Sequence, residues 1–233
     1  MDGLLISSED IYTIAISEVL HLHGHPSLSW DVKVQLQGLP GPVASQKVLD
    51  YYEMPYTAEE LFQKTSEAQL KLWPTVKFMP GAYELLKYLA EKGVPIALAT
   101  SSSTDKYYLK TEKLQDGFKY FGDHRVTGDD PRIPPGRGKP FPDIWHIALE
   151  SLNSERTKNG LDKILIEECL VFEDGAPGVR AGTSAGAHVI WVPDERALQV
   201  MSQDVIDDLV GSKREKGTIL GSLADFKPAE YGL

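Results

Sequence analysis

Val171-Phe172-Glu173-Asp174-Gly175-Ala176-Pro177-Gly178-Val179-Arg180-Ala181-Gly182 is the stretch on which the fold turns. An apolar run that begins at Cys169-Leu170 ends abruptly in two carboxylates and a glycine. A helix rich in small residues follows, with Ala176, Gly178, Ala181, Gly182 and Ala185. A short, continuous apolar run suits a strand buried on both faces of a parallel sheet. Ala187-His188-Val189-Ile190-Trp191-Val192 reads as the next such strand. Strand, helix, strand is the unit of an α/β sheet, whose ligands gather beyond the carboxyl ends of the strands.

The same grammar extends upstream. Val94-Pro95-Ile96-Ala97-Leu98-Ala99 reads as a strand, followed by the polar cluster Thr100 to Ser103. An amphipathic helix with Ala82, Leu85, Leu86 and Leu89 precedes it and stops at Gly93. Pro142 opens another helix, with Ile144, Ile147, Ala148 and Leu152 on one face. Ser154–Asn159 and Gly211–Gly217 read as polar loops. The first third differs in kind. Ile11, Ile14, Ala15, Val19 and Leu22 share a helical face, with Gly24 as the stop. A Gly/Pro turn, Gln37-Gly38-Leu39-Pro40-Gly41-Pro42, comes next, and Val43 to Trp73 reads as two or three short helices broken near Pro55.

Composition narrows the function. The 233 residues carry 24 Lys+Arg against 34 Asp+Glu, a formal charge of −10. No net positive charge is available to displace counterions from a nucleic acid, so a nucleic-acid partner is not expected. No apolar run is long enough to span a bilayer, and the start lacks a secretory pattern. Cys169 is the only cysteine, so no internal disulfide forms and the cytoplasm, or the nucleus, is the expected compartment. Lying in an apolar run, Cys169 reads as a small buried hydrophobe. His21, His23 and His25 read as a solvated helix end rather than a metal site, His188 as core, and Tyr107 and Tyr108 as packing.

Three clusters bracket apolar segments: Asp2-Gly3, Thr100-Ser101-Ser102 and Glu173-Asp174-Gly175. Lys139 lies in the loop Gly136–Asp143. Taken singly, these read as a helix cap, a solvated lysine and a turn. Taken together, carboxylates, a hydroxyl and a lysine are what phosphoryl transfer needs. Oxygen ligands hold Mg²⁺, and the cations and N–H donors neutralise the phosphoryl charge.

Met1-Asp2-Gly3-Leu4-Leu5, Ala99-Thr100-Ser101-Ser102, Gly138-Lys139-Pro140-Phe141-Pro142-Asp143 and Val171–Gly182 resemble, in order, the four motifs of the haloacid dehalogenase superfamily. The helical insert resembles that of the β-phosphoglucomutase and pseudouridine-5′-phosphatase branch, its fungal members above all. The resemblance implies a Rossmann-like α/β core of parallel strands over 1–8 and 78–233, with an α-helical cap over 9–77. It implies Asp2 as general acid/base, its carbonyl also on Mg²⁺, and Thr100 as the hydroxyl that holds the phosphoryl group. It further implies Ser101 as a backbone N–H donor, with Gly3, Ser102 and Gly38 beside the substrate. Lys139 would steady the phosphate charge, and Glu173 and Asp174 would be acidic Mg²⁺ ligands.

Two departures qualify these expectations. The family's first motif reads Phe-Asp-Met-Asp-Gly after an apolar strand, and its first aspartate is the nucleophile. This sequence starts at the Met, so neither that aspartate nor the strand is in it. Ser7-Ser8-Glu9 also replaces the family's Asp-Thr-Glu or Asp-Ser-Glu. An internal start or a truncated product explains the first departure, and loss of phosphatase chemistry with binding retained is the alternative. Losing three or four large buried side chains, at ~1.5–3 kcal/mol each, approaches a typical domain's ~5–15 kcal/mol. The chain as written is therefore expected to be weakly stable and to turn over negligibly. Gly41 stands where β-phosphoglucomutase-like relatives place an arginine for a second phosphate, which favours a monophosphate hydrolase over a mutase. The expected activity is Mg²⁺-dependent hydrolysis of a small phosphorylated metabolite through an aspartyl-phosphate. Pseudouridine 5′-phosphate is the first candidate, and a sugar phosphate or glycerol phosphate the next. An inert relative that binds a phosphorylated ligand or a partner protein is the alternative.

Overall fold

The structure, a computed structural model, describes residues 1–39 and 41–233. Pro40, part of the Gln37–Pro42 turn, lies outside the described residues. The chain opens on a tight turn in which the Met1 carbonyl accepts from the N–H groups of Leu5 (2.8 Å) and Ile6 (3.2 Å). Gly3 takes φ +66°, which only a glycine adopts freely.

Four helices follow: α1 (Glu9–Leu22), α2 (Trp30–Leu36), α3 (Gly41–Tyr52) and α4 (Ala58–Leu70). They close around an apolar cluster of their own that includes Val19, Leu20, Val32, Val48, Leu49 and Leu61. Helix α4 starts at a reciprocal cap between Thr57 and Glu60. The buried strip of α1 runs through Ile11, Ala15, Val19 and Leu20. Ile14 and Leu22, expected on that face, stand 45% and 80% exposed. The i, i+4 row of α1 meets its neighbours, and the row three residues on is left to solvent.

The rest builds the sheets and their covering helices. In chain order come α5 (Ala82–Glu91), β1 (Leu98–Ala99), α6 (Thr104–Thr111), α7 (Gln115–Phe118), β2 (Arg125–Val126) and α8 (Asp143–Lys158). Then come β3 (Leu170–Glu173), α9 (Ala176–Ala185), β4 (His188–Trp191), α10 (Glu195–Val200), α11 (Gln203–Val210) and β5 (Gly217–Ile219). All strand pairs are parallel. β1 pairs with β2, and β3-β4-β5 form a second sheet, with Val171 opposite Val189 and Ile190 opposite Thr218. Among the described residues no strand hydrogen-bonds to both β1 and β3.

The small residues of α9 have a packing reason. A side chain at Gly182 would meet Val189 and Val171 at 2.8 and 2.9 Å, so only glycine lets this helix lie on the sheet. The two chain crossings into the helical insert run side by side, with Ser7 N–H on the Lys77 carbonyl and Met79 N–H on the Leu5 carbonyl, both at 2.9 Å.

Several readings need correction. The strand expected over 94–99 is regular only at Leu98–Ala99. Pro95 has no N–H to donate, and pairing to the β2 side starts where Leu98 N–H reaches the His124 carbonyl at 2.8 Å. Ser154–Lys158 belongs to α8 rather than to a loop, and Asn159 is its C-cap. Gly217 begins β5 rather than closing a loop. Cys169 is half-buried, just outside β3, with its thiol on the Leu165 carbonyl at 3.3 Å. Burial pushes that thiol's pKa up, which disfavours the reactive thiolate. His188 is half-buried against Thr218 Oγ1 (3.0 Å) rather than core. Tyr107 is buried, but Tyr108 is 53% exposed.

Candidate active site

The polar clusters meet at the carboxyl ends of the strands. Asp2 and Gly3 sit on the opening turn, Thr100–Ser103 link β1 to α6, Lys139 precedes α8, and Glu173 ends β3. Together with the helical insert they line one cavity of about 410 Å³. Asp2, Thr100, Ser101, Ser102, Gly38, Lys139, Glu173 and Asp174 all lie in its wall. Gly3 stands just behind, where any side chain would run into the Asp174 carboxylate.

Asp2 is held from three sides. Its Oδ1 accepts from Ser8 Oγ (2.6 Å) and Lys110 Nζ (2.7 Å), and its Oδ2 from Ser102 Oγ (3.0 Å). Lys110 also donates to Ser102 Oγ at 2.9 Å and lies near the Tyr12 and Trp73 rings, 5.0 and 5.2 Å from their centroids. Burial alone would raise the Asp2 carboxyl. The adjacent ammonium and these donors outweigh it and hold Asp2 well below the usual carboxylate range. Burial alone would likewise lower Lys110, yet the Asp2 charge lifts it above the ordinary lysine value. Asp2 therefore stands ionised.

Lys139 Nζ donates to Glu173 Oε1 at 2.5 Å and to the Ala99 carbonyl at 3.2 Å, so it ties the end of β1 to the end of β3. The Glu173 carboxylate packs against Gly178, where a side chain would collide with it. Thr100 is buried, and its Oγ1 accepts from Ser102 N–H at 3.2 Å. Ser101 is exposed at the loop tip. Trp191 Nε1 donates to the Asp174 carbonyl at 2.8 Å and so sets the loop after β3.

The Asp174 carboxylate receives no hydrogen bond from the described residues. Burial, then the charges of Glu9 and Glu173, push it well above its ordinary pKa. Burial also raises Glu9, and Lys33 at 3.5 Å offsets this in part. A half-buried carboxylate beside two others is the donor set of a hard divalent cation. Asp174, Glu173 and the Asp2 carbonyl fit such an ion by chemistry. Read by side chains alone, the described residues hold no group of three or more metal-ligating residues. The three histidines go to separate partners, His21 to Ser27, His23 to Tyr56 and His25 to Tyr52.

Sequence reasoning missed Lys110, Lys33 and Lys106, and noted Glu9 only as part of a departure. The signal for two of them was present. Lys106 and Lys110 are one turn apart on the helix that follows the Thr-Ser-Ser cluster, so they share its face. Lys33 carried no local signal, because its meeting with Glu9 joins residues 24 positions apart.

The haloacid dehalogenase-like hydrolase family matches residues 1–186. A relative named a probable pseudouridine-5′-phosphatase, from Saccharomyces cerevisiae, is 48% identical over 100% of this chain and 94% of its own length. A (DL)-glycerol-3-phosphatase of Arabidopsis thaliana is 34% identical over 100% of this chain and 89% of its own. Among solved structures, a haloacid dehalogenase family hydrolase of Deinococcus radiodurans with bound phosphate and sodium superposes at a TM-score of 0.71. It is 24% identical and covers 100% of this chain and 93% of its own. The motif order, the parallel strands that carry it and these matches agree: the chain belongs to the haloacid dehalogenase-like hydrolases.

Proposed function

We propose that this chain forms the phosphate- and metal-holding site of a Mg²⁺-dependent phosphatase for a small phosphorylated metabolite. Pseudouridine 5′-phosphate is the first candidate and a sugar or glycerol phosphate the second. The observation that carries this reading is the convergence of Asp2, Thr100, Lys139, Glu173 and Asp174 on one cavity. Residues 9–77 act as the cap, closing on the core through the paired crossings at Ser7–Lys77 and Leu5–Met79.

Asp174, Glu173 and the Asp2 carbonyl hold Mg²⁺, which neutralises charge on the phosphoryl oxygens when bound. The Thr100 hydroxyl and Ser101 N–H hold those oxygens, and Gly3, Ser102 and Gly38 border the substrate. Lys139 screens the Glu173 charge from the phosphate. Asp2, held by Ser8, Ser102 and Lys110, is placed as the general acid/base that protonates the leaving oxygen and takes a proton from the attacking water.

Among the described residues no cavity carboxylate is free to attack phosphorus. Asp2, Glu9 and Glu173 are each ion-paired, Asp129 caps Thr104, and Asp174 is assigned to the metal. The chain as written should therefore bind monophosphates and turn them over negligibly. The expected setting is the cytoplasm, with no nucleic-acid partner.

Phosphate release from a panel of nucleotide and sugar monophosphates with Mg²⁺, beside equilibrium binding of the same panel, tests the reading. Binding without release is expected. Release abolished by Asp2→Asn would overturn the account of the nucleophile. Asp174→Asn removes a carboxylate whose ionisation burial and the neighbouring Glu9 and Glu173 oppose. The metal-free variant should melt a few degrees higher, about 2–4 °C per kcal/mol for a chain of this size, and its Mg²⁺-induced shift should vanish. A Mg²⁺ shift retained in Asp174→Asn would sink the metal assignment.

A further inference from the structure

Three lysines line the cavity, and two of them are already matched by carboxylates. Lys33 stands 3.5 Å from Glu9, and Lys139 stands 2.5 Å from Glu173. Lys106, on the first turn of α6, has no carboxylate partner and no hydrogen bond among the described residues. Its ammonium lies instead 4.5 Å from the centroid of the Phe62 ring, on α4. Burial and the nearby Lys110 charge push its pKa down, so this cation is held at some cost.

The ring it rests on packs close to the chain of the insert. Phe62 packs against Gly41, the first residue of α3, where any side chain would run into the ring. Gly41 thus makes room for an aromatic wall. Lys106, from the core, rests on that wall, which comes from the insert, and both line the cavity. Lys106 also sits one helical turn, about 5.4 Å along the axis, from Lys110, which holds Asp2. It is therefore displaced from the phosphate end of the site but opens on the same space.

We propose that Lys106, backed by Phe62, is a specificity residue that reads the end of the substrate remote from the phosphate. The group it takes is an acceptor oxygen on a planar ring, as in a nucleoside monophosphate with a carbonyl-bearing base. This rests on the phosphatase reading above. An ammonium has three N–H donors, and a π face satisfies it only electrostatically. A base carbonyl supplies an acceptor, and its ring supplies a flat apolar surface beside Phe62. A short polyol phosphate would leave both unused. The apolar side chains deeper in the same wall, Ile16, Val48 and Leu61, favour a ring over a hydroxylated chain.

Calorimetric titration of the full chain in Mg²⁺ with uridine 5′-phosphate, pseudouridine 5′-phosphate, glycerol 3-phosphate and inorganic phosphate tests this. Lys106→Met should weaken the two nucleotides by about tenfold, or 1.4 kcal/mol, and leave glycerol 3-phosphate and phosphate unchanged. Lys106→Gln, which keeps a donor, should recover part of the loss. Phe62→Leu should weaken the nucleotides selectively. Equal weakening of all four ligands, or of none, overturns the proposal while leaving the phosphatase reading intact. So does wild-type protein that binds glycerol 3-phosphate as tightly as the nucleotides. Wild-type protein that binds none of the four overturns both.

Discussion

At the scale of the residue, the Asp2–Lys110 pair decides what the site can do. Lys110 is fully enclosed, and its ammonium meets the carboxylate at 2.7 Å. Removing one partner of a buried pair leaves the other charge stranded, at ~3–5 kcal/mol. Lys110→Ala should therefore lower stability by about that much in urea unfolding, whereas Asp2→Asn with Lys110→Met should restore most of it. A loss under about 1 kcal/mol, the size of an exposed pair, would show the pair to be solvated. The pH dependence has a definite sign. Asp2 has a folded pKa below its unfolded value, so its stabilisation is complete above the ordinary carboxylate range. It is lost as pH falls through the folded value. Asp174 and Glu9 are raised, so their contribution opposes it: they favour the folded state at low pH and cost stability once ionised. The single-site Asp2→Asn variant should accordingly lose the acid-side decline that Asp2 causes in the wild type.

At the scale of the element, packing overrode local pattern at two places. Helix α8 ran through a polar segment because Asn153 and Arg156 satisfy carbonyl and N–H groups of residues 162–164, at 2.8–2.9 Å. Strand β5 formed from Gly217-Thr218-Ile219, which carries no apolar run, because β4 offers a parallel edge. Gly217 fits there since a side chain would meet the Val189 carbonyl at 2.7 Å. Helix α11 covers the second sheet through Ile206, Leu209 and Val210. Leu209, fully buried in the cluster with Val171, Val179 and Trp191, is the residue to truncate. Leu209→Ala should cost ~2–5 kcal/mol of unfolding free energy. A cost below about 1 kcal/mol would mean that α11 does not close this core.

At the scale of the whole molecule, the two sheets are joined, among the described residues, by side chains and loops rather than by a shared hydrogen-bonded strand. Lys139 and the apolar cluster around Ile6, Leu98 and Ile190 carry much of that junction. Two-residue strands add few ladder bonds, so the β1–β2 half should open at lower free energy than β3–β5. A thermal midpoint below about 55 °C is expected, with amides of Ala99 and Val126 exchanging faster than those of Val189 and Ile190. A single transition above that temperature, with uniform protection, would contradict this. The sequence by itself determined the α/β class, the parallel strands at Leu170–Glu173 and His188–Trp191, and the polar clusters after them. Those features are local: an apolar run, a turn and a small-residue helix each lie within a dozen residues. Only the tertiary structure decided that Lys110 holds Asp2 and that Lys33 meets Glu9. It also decided that Phe62 fills the space beside Gly41 and that Lys106 rests on the Phe62 ring. Each of these joins residues 21 to 108 positions apart, and charge pairing across such separations depends on how the helices pack, which no local pattern records.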